Sequence, residues 1–264
     1  MVQLVPLSAE RHRCKRWKRP AGYAFAANEW FVPLSALELA RAVCSMPVAF
    51  VDAGTGLDLA AITSVIPNRN MFVDPKGRWL GSYVPAWLRV YPFRLIPGRK
   101  EDEVIFCVDE GSGLVVDDNG AGEQFFDAEG RLSPALSPVL SLLQQLETGF
   151  RATRMAVAAL AHANVIIAWK LKIKSSEGEP PIDGIRHIDQ ELLRNVSDEG
   201  FLELRRAGAL PIAFAQTLSE AQLSTFVELA KFHKRGKPPV PQELPESLDT
   251  IFQLPAGDTI QFKG

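Results

Sequence analysis

Histidine comes first among the side chains that could do chemistry, and the chain holds four: His12, His162, His187 and His233. None forms His-x-His or His-Glu-x-x-His, so no familiar zinc spacing is present. The nearest approach is His187-Ile-Asp189, whose alternation places both residues on one face of a strand. Two ligands make a weak metal site, and a histidine satisfied by hydrogen bonds fits the pattern as well. If the protein is an enzyme, His187, Asp189 and Asp74 are its candidate acid/base groups, because such groups are assembled in space rather than in sequence. Gly54-Thr-Gly56 and Gly120-Ala-Gly122 each lack a third glycine, which argues against a nucleotide cradle. No Gly-x-Ser-x-Gly elbow occurs. Cys14, Cys44 and Cys107 are widely spaced, with no Cys-x-x-Cys, so a disulfide framework and a zinc ribbon are both disfavoured. Cys14 lies among cations that favour a thiolate, but no base neighbours it. These residues predict neither a cofactor nor a metal.

A denser constellation runs from Asn70 to Phe93. It interleaves rings with a guanidinium and is punctuated by Pro85 and Pro92. Aromatics with arginine make binding hot spots, because they bury much area at small entropic cost, and arginine stacks on ring faces. The near-alternation of the rings fits a packed core equally well. The candidate ligand-binding set is Asn70, Trp79, Tyr83, Trp87, Arg89, Tyr91 and Phe93, read as one wall of a groove. Arg89 is expected to stack or be neutralised within the Trp87–Tyr91 cluster.

Charge is uneven. The formal net charge is −2, which excludes a global basic field for nucleic acid. Six cations nevertheless crowd between Arg11 and Arg19, where they face water or bind phosphates or an acidic protein patch. Asp109 to Glu129 holds seven acids and no base. Its carboxylates lack the Asp-x-Asp-x-Asp-Gly order of a calcium loop, so it reads as a solvated acidic loop.

Several elements must position these residues. Ser35 and Glu38 have capping-box spacing at the head of a helix over 33–43. Residues 47–51 and 57–66 read as strands joined by a turn, and 93–96 and 104–108 as neighbouring strands. Phe72-Val-Asp-Pro-Lys-Gly-Arg78 recurs as Phe125-Phe-Asp-Ala-Glu-Gly-Arg131, with turn chemistry in both. This is either one supersecondary unit used twice or a coincidence of common turns. Residues 137–160 are strongly helical. Strands are expected at 166–173 and 185–188, and helices at 191–206 and 219–232, the latter with Ser219 as cap. Pro238, Pro239, Pro241 and Pro245 stiffen a linker before a terminal hairpin over 251–262.

The sum is an α+β chain with a strand-rich first half and a helix-rich second half. Its 264 residues and 47% apolar content suit one domain over 1–235, followed by a linker and tail over 236–264. The longest apolar stretch, from Met155 to Trp169, is too short and interrupted for a membrane span. No apolar segment precedes the N-terminal charges, so a cytoplasmic protein is expected.

The order of segments resembles the SapC family of bacterial proteins over roughly residues 5–232. The resemblance rests on Tyr23-Ala-Phe25, Val32-Pro-Leu34 with Glu38, and Pro47-Val-Ala-Phe50. It continues through Asn70-Met-Phe-Val-Asp74, Gly77-Arg-Trp79, Tyr83-Val-Pro85 and Arg89-Val-Tyr-Pro-Phe93, then Phe126-Asp127, Thr153, Ile182-Asp-Gly184 and Gly208-Ala-Leu210. It implies a surface-layer or peptide-transport context, although a permease needs spans that this chain lacks. It also implies functional association with flavin-dependent halogenase-like proteins and outer-membrane receptors. It supplies no catalytic residue.

The leading expectation is a soluble accessory protein that binds a peptide, a partner protein or a small aromatic ligand and performs no chemistry itself. The alternatives are an enzyme using His187, Asp189 and Asp74, or a surface-layer-type subunit exported without a signal peptide. Residues 237–264 are expected to mediate association, with a second copy or with a partner.

Overall fold

The computed structural model describes residues 2–235 apart from 55, 101–102, 118–120 and 172–183. The proline-rich linker and terminal hairpin expected over 236–264 lie outside the described residues. The chain begins with β1 (Leu4–Pro6), a single turn α1 (Ala9–His12) and β2 (Lys15–Trp17). β3 (Phe31–Pro33) leads through a 3-10 turn into α2 (Leu39–Ala42). A hairpin of β4 (Val48–Asp52) and β5 (Leu57–Ile62) follows, then α3 (Ala86–Arg89). A second hairpin joins β6 (Phe93–Pro97) to β7 (Val104–Asp109). β8 (Val115–Asp117) and β9 (Glu123–Gln124) precede the long helix α4 (Ser137–His162). Last come β10 (Ile166–Ala168), β11 (Ile185–Ile188), α5 (Gln190–Arg194), α6 (Asp198–Arg206), α7 (Ala209–Ser219) and α8 (Thr225–Arg235). Strands dominate the first half and helices the second, which is the α+β arrangement expected.

The recurrent Phe-x-Asp-x-x-Gly-Arg turn belongs to a larger repeat. In both copies the Asp amide donates to the Arg carbonyl, Asp74 to Arg78 at 2.9 Å and Asp127 to Arg131 at 2.8 Å. In both, the Asp carboxylate accepts from the Arg amide and from Nε of the same Arg. Gly77 and Gly130 take φ near +80°, which a glycine adopts without strain. The sheets before the turns match as well. β3 pairs with β5 and β5 with β4, as β1 pairs with β7 and β7 with β6. Register agrees residue by residue: Val32↔Ala61 and Val48↔Ala61 in one copy, Val5↔Val108 and Phe93↔Val108 in the other. Flanking bonds agree too, Leu34 N to Leu59 O with Leu7 N to Phe106 O, and Ile62 N to Pro47 O with Asp109 N to Pro92 O.

The entry strands share a sequence. Val5-Pro-Leu-Ser-Ala9 and Val32-Pro-Leu-Ser-Ala36 are identical, and Ser8 and Ser35 each cap the turn that follows. The repeats are nested. One comprises β3, β4, β5 and the turn at Asp74. The other begins with β1, is interrupted by the first, and resumes at β6, β7 and the turn at Asp127. Each seats its turn phenylalanine in its own core, Phe72 with Phe50 and Leu59, Phe125 with Phe93 and Val108. The 26-residue α4, about 39 Å long, ties both together: Leu143 and Leu146 enter the second core, Ala156, Val157 and Leu160 the first.

The two charge runs meet each other. β2 is the middle strand between β8 and β9, so Lys15 lies opposite Asp117 and Trp17 opposite Glu123. Arg11 and Lys15 both bind Glu110, at 2.6 and 2.8 Å, and hold its carboxyl at about 2 by those hydrogen bonds. The expected solvated acidic loop is therefore the mate of the basic run. His12 is fully buried beside Glu110, and burial pushes its pKa down.

Other expectations are corrected. Residues 33–35 are strand and cap, and helix begins only at Ala36. The second strand stops at Ile62 rather than 66. The helix expected over 191–206 breaks at Ser197, whose hydroxyl caps α6. Ser219 does not cap a helix. Its hydroxyl is buried against Val48, whose amide donates to it at 2.9 Å, inside a chain that is helical from Ala209. Packing against β4 decides the position, so capping-box spacing alone misleads there.

Candidate functional site

A cavity of about 510 Å3 opens at the seam between the two repeats. Directly opposed residues of antiparallel neighbours share a face, so Phe31, Pro33, Val51, Asp58 and Ala60 line it from one sheet. The other sheet contributes Leu4 and Ile96, which occupy the register positions of Phe31 and Val51. Both copies thus turn equivalent positions toward one space. A second space of about 260 Å3 shares Pro33, Asp58, Trp87, Leu95 and Ile96 with the first and continues to Phe150 of α4. Together they form a cleft with mainly apolar walls.

The polar groups of the cleft are few. Arg94 on β6 lays its guanidinium 4.0 Å over the Trp87 ring and 5.8 Å from Tyr91. Tyr91 in turn stacks on Phe25 at 4.0 Å. Arg94 also donates from Nη1 to the Phe93 carbonyl at 2.7 Å. Burial pushes its pKa down to about 10, against the pull of Glu29, Tyr91 and Asp109, so it stays charged at neutral pH. Asp109 accepts from the amides of Gln3 and Gly111 and from the Tyr91 hydroxyl at 3.1 Å. Burial and that bond push the Tyr91 phenol up to about 12. Asp58 is half-buried, and its carboxylate has no hydrogen-bond or ion-pair partner among the described residues.

The aromatic block does not form one wall. Trp87 and Tyr91 line the cleft, while Arg89, Tyr91 and Phe93 border a separate space of about 290 Å3 beside Tyr23. Phe93 is fully buried and packs edge-on against Trp17 at 5.0 Å. Asn70 is buried, accepting from the Phe72 amide and donating to the Ala26 carbonyl. Trp79 stacks on Phe72 and donates to the Tyr83 carbonyl. Tyr83 donates to the buried Glu38, and burial with that bond raises its phenol to about 12. Arg89 is exposed and, among the described residues, reaches only Tyr83, with Nη2 3.4 Å from its hydroxyl. The arginine held between Trp87 and Tyr91 is Arg94, one residue past the block. The sequence shows only that Arg94 follows the ring series directly; which ring it meets is set by the register of β6.

The acid/base candidates do local work. His187 pairs with Glu220 at 3.0 Å and stacks flat on Trp169. Asp189 caps α5 through the Glu191 and Leu192 amides. Asp74 closes its turn. Among the described residues, no group of three or more His, Cys, Asp or Glu side chains is placed to hold a metal ion. The described cysteines are free, with Cys107 buried and its thiol raised by that burial. No helix among the described residues is long and apolar enough to cross a membrane.

Nested sheet repeats, a shared long helix and a cleft at their seam define an α+β protein with a composite cavity. The chain belongs to the SapC family, whose model matches residues 7–226. No curated protein and no solved structure matches it.

Proposed function

We propose that this chain is a binding protein and that its ligand enters the cleft between the repeats. The observation that supports this most strongly is the cavity itself, about 510 Å3. That size falls in the range of small-molecule sites, which are concave, mostly apolar and carry few placed polar groups. Arg94 is such a group, pre-set by Trp87. The ligand is a small molecule with an apolar or aromatic body, or one or two side chains of a peptide. Of the aromatic block, Trp87 and Tyr91 serve the cleft directly, and the remaining rings brace it.

Screening small aromatic molecules and short peptides by thermal shift tests this reading. A ligand present at ~100 times its Kd adds ~2.7 kcal/mol, a rise of about 5–10 °C for a chain of this size. Val51→Phe fills the cleft from the partly exposed end of β4. It is expected to leave the unliganded melting temperature within a few degrees and to abolish the ligand-induced rise. Ligands that bind equally well to Val51→Phe would refute the assignment.

A further inference from the structure

The repeats allow one copy to serve as a control for the other. At Leu4 and Phe31, and at Ile96 and Val51, both copies are apolar, and packing explains both. At four cleft positions only one copy is charged. Glu29 corresponds to Val2, Arg94 to Ala49, Asp58 to Ile105 and Asp109 to Ile62. Each uncharged copy makes the same ladder with the same register, so the sheet does not need the charge.

Two of the four charges answer each other, because Arg94 sits in the field of Glu29 and over Trp87. Glu147 and Arg154, in the adjoining space, pair at 3.5 Å. Asp109 is held by two amides and a phenol. The Asp58 carboxylate has no hydrogen-bond or ion-pair partner among the described residues, although it lines both spaces of the cleft. A carboxylate partly withdrawn from water into apolar walls is costly without a partner. The carboxylates of Glu29, Asp58 and Asp109 also outnumber the single guanidinium of Arg94, which leaves the main cavity net negative.

We infer that the cleft selects cationic ligands: a primary ammonium on an apolar or aromatic body, with Asp58 as the residue that reads the charge. This rests on the proposed binding role of the cleft and adds the ligand's chemical class.

A matched series separates the two statements. 2-Phenylethylamine, 2-phenylethanol and 3-phenylpropionate, with their naphthyl homologues, are titrated into the full chain and followed by tryptophan fluorescence. Asp58→Asn, and Asp58→Ile (the residue of the other repeat), are titrated alongside, with their folding checked by circular dichroism. The inference predicts amine binding at least tenfold tighter than that of the alcohol, and a loss of at least tenfold in both variants. Equal binding of all three classes, unchanged by Asp58→Asn, would overturn the charge assignment and leave the cleft standing. Preference for the carboxylate would overturn it in favour of Arg94. Amine binding that survives in Val51→Phe, or no binding by any member of the series, would overturn the cleft reading and the inference together.

Discussion

At the scale of single residues, Asp74 and Asp127 do one job in two settings. Asp74 accepts from two backbone amides and a guanidinium and Asp127 from an amide and a guanidinium, yet the Asp74 carboxylate is buried and that of Asp127 is partly open to water. Burial would raise both pKa values, but the Arg amide and guanidinium outweigh it and both carboxyls are lowered. Their stabilisation is therefore full above the unfolded value of ~3.9 and fades as pH falls below it. Asp74→Ala is expected to cost about 2–3 kcal/mol, because it strands buried donors, and Asp127→Ala distinctly less. Urea unfolding at pH 7 measures the difference, and at pH 2 the gap should shrink. The equivalence of these two residues was legible in the sequence, because Phe-x-Asp-x-x-Gly-Arg carries its own turn chemistry. The role of Arg94 was not: which arginine meets a ring is decided by the register of β6 and by α3, both outside the reach of local spacing.

Among elements, the meeting of α4 with the first repeat's cap shows why spacing can succeed or fail. Ser35 and Glu38 close their capping box as the sequence suggests, and Glu38 additionally accepts from Tyr83 and from the Ala86 amide. α4 passes directly over this point. Thr153 accepts from the Ala36 amide at 2.8 Å and donates to the Gly149 carbonyl at 2.6 Å. A Cβ on Gly149 would overlap the Ser35 hydroxyl. Glycine inside a helix costs ~1 kcal/mol relative to alanine, so Gly149→Ala on an open helix would stabilise. Here overpacking of about 1–3 kcal/mol opposes that gain, and a net fall in melting temperature is expected by calorimetry. Neither residue's sequence neighbourhood announces this contact, because it joins positions more than a hundred residues apart. The boundary errors at 33–35 and 219 come from tertiary partners such as β5 and Val48 overruling local preference, whereas the break at Ser197 is a local cap on α6.

For the whole molecule, the α+β composition was readable from periodicity, whereas the nesting was not. Val-Pro-Leu-Ser-Ala occurs twice in the first 36 residues and Phe-x-Asp-x-x-Gly-Arg twice between 72 and 131. Separately each is a short match; joined by strand register they define two units, one inside the other. The same nesting creates the cleft, since equivalent positions of the two sheets line it together. It also brings the basic and acidic runs together in one small sheet, where Arg11 and Lys15 pair with Glu110. The most direct test is an amide chemical-shift map of the full chain, titrated with the tightest-binding amine of the matched series. Binding at the seam predicts the largest shifts at Phe31, Val51, Asp58, Trp87, Arg94 and Leu95, drawn from both repeats at once. Shifts centred instead on Trp79, Tyr83 and Arg89, or confined to one repeat, would contradict a ligand site between them.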